Sequence, residues 1–275
     1  MSAVRIFRDG VRCAALDPAD RGLAYGDGLF ETLRAHQGVL PWWPRHRARL
    51  QAGAARLGIP LPDPDWLDAQ VAEVAAEAGQ GVVKLVLTRG PGGRGYAPPA
   101  RPAPTLLLSR HPLPDGPARL AAVLSPVAAA VQPALAGLKH LNRLEQVLAR
   151  RAAIEAGADI ALMATADGRL ACADSGNLLL ERDGRLFTPR LDGFGVAGVC
   201  RGWLLEQGLV AEAVLKIADL HAADSVSVCN AVRGILPLVS LEGRPLAATP
   251  ALASLIERLG GACEAFAGAG PATEQ

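Results

Sequence analysis

Residues 137–148 read GLKHLNRLEQVL, and they place Lys139 directly ahead of a helical pattern. From Asn142 to Ala156 the apolar residues Leu144, Val147, Leu148 and Ile154 recur at helical spacing, and Gly157 supplies the stop. Lys139 is flanked by Leu138 and Leu141. Apolar surroundings disfavour the charged form of an amine, which suits a lysine that must attack a carbonyl. The same position suits a lysine whose stem merely snorkels off a helix start, and spacing alone leaves both readings open. Composition sharpens the question, because only three of the 28 basic residues are lysine: Lys84, Lys139 and Lys216. Arginine is this chain's default cation, and a guanidinium does not replace an amine that has to lose its proton.

Upstream, Val4 to Phe7 reads as a short strand and Asp9-Gly10 as a turn, followed by helices over about Arg45–Leu57, stopped by Gly58 and Pro60, and Trp66–Ala78. Two strand-like runs, VVKLVLT (82–88) and TLLLS (105–109), are separated by the glycine-rich RGPGGRGY. This predicts an N-terminal α+β lobe over residues 1–115. The proline- and alanine-rich segment that follows is expected to be a linker region, 116–135. Beyond it, short apolar runs split by Asp167-Gly168 and Asp183-Gly184 have the pattern of tight hairpins. They predict a second lobe, 136–275, around a barrel-like or strongly curved sheet, with an alanine- and glycine-rich C-terminal tail expected to fray.

Half of the 275 residues are hydrophobic, which supports a large core, and the formal charge is only +1. No basic face points to nucleic acid or an anionic membrane, so a small-molecule substrate is expected. The N-terminus carries charge where a signal peptide needs an apolar core, and no run reaches the ~18 apolar residues of a membrane span, so a cytoplasmic location is expected. Five scattered cysteines and five histidines without ligand spacing argue against a disulfide framework and a metal site.

Three further stretches carry candidate chemistry. In DGFGVAGVCRGWLLEQG, Gly193, Gly195 and Gly198 lead into a helix at about Val199, which reads as a phosphate site or simply as a turn. In TRGPGGRGYAPP, Arg89, Arg94 and Tyr96 suit a carboxylate but equally suit a solvated loop. Cys172 reads as a small buried hydrophobe.

The runs DRGLAYGDGLFETLR (20–34), HRARL (46–50), KLVLTRGPGGRGY (84–96), GLKHLNRLEQVL, NLLLERDGRLFTPRLDGFGVAGVCR (177–201) and VCNAVRGILPL (228–238) resemble, in order, the blocks of the class IV aminotransferase family. The resemblance implies the two-lobed type IV fold of pyridoxal-phosphate enzymes, α+β, with a smaller N-terminal lobe and a larger barrel-like one. It implies pyridoxal 5'-phosphate as cofactor, a homodimer with its active site near the interface, and Lys139 as the lysine that bonds the cofactor and moves protons. Arg49 then pairs the cofactor phosphate, Val199, Cys200, Asn230 and Ala231 offer it backbone N–H groups, and Asn177 lies in the cofactor block. Phe30 and Thr32 line the substrate side, while Arg94 and Tyr96, with Arg89 beside them, meet substrate carboxylates. GLKHLNRLEQVL and TRGPGGRGY are most similar to the family's lyase branch, which releases pyruvate from 4-amino-4-deoxychorismate, rather than to its branched-chain or D-amino acid aminotransferases. One position departs: five residues before Asn177, where the family has a glutamate on the pyridine nitrogen, stands Cys172, and Asp174 is the nearest acid that shares its face in a strand.

Overall fold

A computed structural model of the chain describes residues 4–267, so the expectation for the C-terminal tail falls largely on residues 268–275, outside the described ones. The chain divides into two compact units, one formed by residues up to 114 together with Leu138–Asn142, the other by Asp115–Gly137 and the residues from 143 on.

The first unit runs β1 (Val4–Arg8), β2 (Val11–Cys13), α1 (Arg21–Tyr25), β3 (Gly28–Ala35), α2 (Trp43–Leu57), α3 (Pro64–Ala78), β4 (Gly81–Thr88) and β5 (Thr105–His111). Its five strands form an antiparallel sheet in the order β2-β1-β5-β4-β3. Asp9 and Gly10, both at positive φ, make the β1–β2 turn that an Asp-Gly pair favours. Gly58 at φ +63 ends α2, and Asp63 caps α3 by accepting from the Asp65 and Trp66 N–H groups. Leu29, Leu33 and Ala35 of β3, Val83, Leu85 and Leu87 of β4, and Leu106 and Leu108 of β5 are buried on the face that α2 and α3 cover.

The second unit runs β6 (Leu120–Leu124), α4 (Leu144–Glu155), β7 (Ile160–Ala164), β8 (Leu170–Ala173), β9 (Asn177–Arg182), β10 (Arg185–Pro189), α5 (Val199–Glu206), β11 (Ala211–Ala213), α6 (Ile217–His221), β12 (Ser225–Asn230), β13 (Gly234–Leu241), β14 (Arg244–Pro245) and α7 (Pro250–Ala262). Its sheet has the order β11-β10-β9-β12-β13-β6-β7-β8, with β14 on β13, and it curls into a half-barrel. The architecture is α+β, as the sequence predicts.

Two sequence expectations meet a different arrangement. Residues 116–135 contain β6, which is hydrogen-bonded between β13 and β7 and so belongs to the second unit's sheet. Lys139 belongs to the first unit, because Phe30 N–H donates to the Lys139 carbonyl (2.9 Å) and Leu141 N–H to the Gly28 carbonyl (3.0 Å), laying Leu138–Asn142 along β3. The apolar stripe of α4 is turned outward: Leu144 is 77% exposed and Ile154 67%, while Ala149 and Ala153 pack inward. Among the described residues, no helix is long and apolar enough to cross a membrane.

Asp20 ties the first unit's elements together. Fully buried, it accepts from the Gly22 N–H (2.8 Å) at the start of α1 and from the hydroxyls of Thr88 (2.9 Å) and Thr105 (2.7 Å) on neighbouring strands. Asp20→Ala strands three donors, and a loss of about 2–4 kcal/mol is expected. Urea unfolding checks this; a loss within 0.5 kcal/mol, about that of an ordinary surface change, would show that the donors find other partners.

Candidate functional site

The alternation of β3 decides which side chains meet. Residues 29, 31, 33 and 35 share the covered face, so GLFETLRA places one carboxylate, Glu31, among Leu29, Leu33 and Ala35. It is 1% exposed and is met by two residues one turn apart on α2. Arg49 donates Nε–H to Oε1 (2.9 Å) and Nη2–H to Oε2 (2.5 Å), and His46 Nδ1 lies 2.6 Å from Oε2. Burial pushes the Glu31 carboxyl up, but the hydrogen bonds from His46 and Arg49 and the arginine's charge outweigh it and hold it below the ordinary glutamate value. Burial lowers His46, and the charges of Arg49 and Lys139 add to that against the pull of Glu31. The ring is therefore neutral at pH 7 and Nδ1–H is the donor to Glu31, a tautomer assigned from the hydrogen-bond network. Its Nε2 is buried with no hydrogen-bond partner among the described residues.

Phe30 and Thr32 share the opposite, half-buried face of β3. Lys139 Nζ lies 4.1 Å from the centroid of the Phe30 ring, and Lys84 of β4 approaches the same ring at 5.9 Å. Gly28 makes room for the lysine segment, since a Cβ there would meet the Leu87 carbonyl at 2.4 Å and Leu141 Cδ1 at 2.8 Å.

The loop after β4 separates the residues that sequence had grouped. Arg89 is 8% exposed, and its guanidinium donates to both oxygens of Asp27 (2.7 and 3.0 Å) and to the carbonyls of Leu57 and Gly58 (2.7 Å each). Through these internal acceptors Arg89 braces the end of α2. Arg21, which sequence reasoning passed over, is 4% exposed; it shares Asp27 (2.9 Å) and donates to the carbonyls of Gly95, Tyr96 and Ala97 (2.9–3.2 Å). It thereby shapes the segment that carries Arg94 and Tyr96, both exposed, with Tyr96 edge-on to Tyr25 at 5.5 Å.

In the second unit, Cys172 is 8% exposed and packs with Ala149, Ala153 and Met163. Burial pushes its thiol up to about 12, so it is neutral at any ordinary pH. Asp174 lies past the end of β8 and does not share a strand face with it. Its carboxylate accepts from Arg150 Nη2 (2.7 Å) and the Ala161 N–H (2.9 Å), and burial raises its pKa in spite of them. Asn177 Nδ2–H donates to the Val196 carbonyl (3.0 Å), and its Oδ1 packs so closely on Gly198 that a Cβ there would sit 1.9 Å away. Gly198 is the N-cap of α5 and, among the described residues, no side-chain cap bond closes the helix start at Val199 and Cys200. Asn230 Oδ1 accepts from the Val232 (3.0 Å) and Arg233 (2.8 Å) N–H groups, shaping the turn that holds Ala231.

The sequence model of the amino-transferase class IV family matches residues 28–241, well over half of the chain. The aminodeoxychorismate lyase of Vibrio harveyi is 33% identical over 80% of this chain and 84% of its own, and the D-alanine aminotransferase of Bacillus licheniformis 28% identical over 84% and 85%. The crystal structure of the 4-amino-4-deoxychorismate lyase from Pseudomonas aeruginosa superposes with a TM-score of 0.87 at 42% identity, covering 94% of this chain and 99% of that one. The curled sheet, the smaller sheet and these matches agree: the chain belongs to the class IV aminotransferase family.

Proposed function

We propose that this chain is a pyridoxal 5'-phosphate-dependent carbon–oxygen lyase that converts 4-amino-4-deoxychorismate to 4-aminobenzoate and pyruvate, a step towards folate. The 42% identity with the Pseudomonas aeruginosa lyase over nearly all of both chains carries the reading, and the likeness to the Vibrio harveyi lyase supports it. A D-amino acid aminotransferase is the second reading, favoured by the 28% identity with the Bacillus licheniformis enzyme.

The residues fit a phosphate-bearing aldehyde at two points. A lysine amine sits over an aromatic ring, and the uncapped, glycine-led start of α5 presents N–H groups suited to an anion. When bound, the cofactor supplies an electron sink. Lys139 is assigned the covalent hold on it until the substrate amine takes its place, and the Nζ so freed would take the proton from the substrate carbon that bears the nitrogen. The enolpyruvyl oxygen leaves from the neighbouring carbon, the ring becomes aromatic, and the released enol takes up a proton to give pyruvate. Arg49, Val199, Cys200, Asn230 and Ala231 are assigned to the phosphate, Phe30 and Thr32 to the substrate side, and Arg94 and Tyr96 to its carboxylates, with Arg21 fixing their loop. Arg89 is assigned a supporting role.

The fit departs at the pyridine nitrogen, where the family resemblance places Cys172. A neutral thiol offers no negative charge to keep that nitrogen protonated, and the Asp174 carboxylate is already paired with Arg150. Transamination would depend on that nitrogen staying protonated more than elimination to an aromatic product would, because the leaving group and the ring of the substrate take up the electrons. The chain is therefore a lyase with weak transaminase activity.

The outward stripe of Leu144, Val147, Leu148 and Ile154 supports a homodimer, since an exposed apolar helix face of this kind marks an interaction surface. Analytical ultracentrifugation should give twice the chain mass, and Leu144→Glu with Ile154→Glu should shift it to the monomer; an unaltered sedimentation coefficient would move the interface elsewhere.

Lys139→Ala should abolish visible cofactor absorbance and pyruvate release while leaving the far-ultraviolet circular dichroism unchanged. Lys216→Ala, exposed on the second unit, is the control; Lys84 is unsuitable because it shares the Phe30 ring. Wild type should release pyruvate with no keto-acid acceptor, and a strict acceptor requirement would favour the aminotransferase.

Cys172→Glu should raise transamination of D- or branched-chain amino acids more than it raises pyruvate release. Efficient transamination by the wild type would defeat this account of the cysteine.

A further inference from the structure

We propose that Glu31 and His46 are positioning residues that fix the plane of the Arg49 guanidinium, making it a pre-set receptor for a phosphate monoester. The inference rests on the reading of Arg49 as partner of the cofactor phosphate and names the residues that prepare it.

Glu31 is 1% exposed on a strand face that is otherwise apolar, a position where an unpaired carboxylate is costly. Both of its oxygens are in use. Oε1 takes Arg49 Nε–H, and Oε2 takes Arg49 Nη2–H together with His46 Nδ1–H. A grip through Nε and Nη2 is side-on and bidentate, so it opposes rotation about the bond between Cδ and Nε. The orientation of the guanidinium is then set by β3, a strand locked in register with β4 over its whole length, and not by the arginine's own rotamers. A floppy arginine would lose rotamer freedom on meeting an anion, and this one has already lost it in folding.

His46 completes the arrangement. It is 1% exposed and one turn before Arg49 on α2, and its ring donates only through Nδ1. Because the ring is neutral, it orients Glu31 without adding a positive charge that would compete with Arg49 for the carboxylate. The adjacent residue of β3 holds the lysine segment, since Phe30 N–H donates to the Lys139 carbonyl. One strand therefore positions both groups through consecutive residues.

The test compares two probes that differ only in the phosphate. Binding of pyridoxal phosphate and of pyridoxal is followed by visible absorbance in wild type, Glu31→Gln, His46→Gln, Arg49→Ala and the Glu31→Gln/Arg49→Ala double variant. Glu31→Gln should weaken pyridoxal phosphate about tenfold and change pyridoxal less than about twofold, and the double variant should bind as Arg49→Ala does. His46→Gln leaves the ion pair in place and should show the same selectivity at a smaller size, which keeps the test open if Glu31→Gln does not fold. Equal losses for both probes, or effects of Glu31→Gln and Arg49→Ala that simply multiply, would overturn the proposal and leave the cofactor assignment standing. If Arg49→Ala binds pyridoxal phosphate as wild type does, the phosphate reading of Arg49 fails and this inference with it.

Discussion

The buried carboxylate of Glu31 constrains how α2 packs on the first unit's sheet. Glu31 is tolerated inside an apolar layer only with its charge compensated, and Arg49 and His46 do so from one turn of α2. The pairing fixes the helix's rotation on the sheet. It also fixes the register of β3, because a slip of one residue would turn Glu31 to the open face and bury Phe30 in its place. Phe30 and Thr32 can face the Lys139 side only because Glu31 faces the helices.

A second carboxylate organises the loop after β4 by the same logic. Asp27 receives both Arg21 and Arg89, and although burial pushes its pKa up, their hydrogen bonds hold it below the ordinary aspartate value. Arg89 reaches on to the end of α2, and Arg21 to three carbonyls of the loop. In the second unit, two segments are shaped by amide side chains. Asn177 fixes the approach to α5 through the Val196 carbonyl, and Asn230 folds its own turn.

Much of this was legible in the sequence, and the reasons differ by element. The end of α2 was marked by Gly58, whose backbone role is local, and the Asp-Gly hairpins by a turn type with few alternatives. Residues 116–135 were misread because proline and alanine mark irregular backbone without excluding one short strand, and β6 is held by partners far away in sequence. Helical spacing found α4 but not which side it buries, since small Ala149 and Ala153 allow close approach while the larger residues point out. Glu31 was findable: in GLFETLRA it breaks an apolar phase of period two, the signature of a buried charge with a partner. Arg89 was not, because its acceptors are Asp27 and backbone carbonyls at 57 and 58, which no local spacing relates.

The use of cations in the folded chain bears on the scarcity of lysine. Structural ion pairs are built on arginine: Arg5 with Glu73 and Glu77, Arg89 with Asp27, Arg150 with Asp174, Arg201 with Glu212. Arginine serves there because its planar fork grips two acceptors at once and keeps its charge when buried. Of the three lysines, Lys216 is exposed and the other two converge on one phenylalanine ring. An aromatic face stabilises a cation nearby without accepting its proton, whereas a carboxylate bonded to the amine would hold it charged. The scarcity of lysine then has a physical reading: the chain fills its structural sites with the cation that never deprotonates, and two of its three amines meet at one aromatic ring.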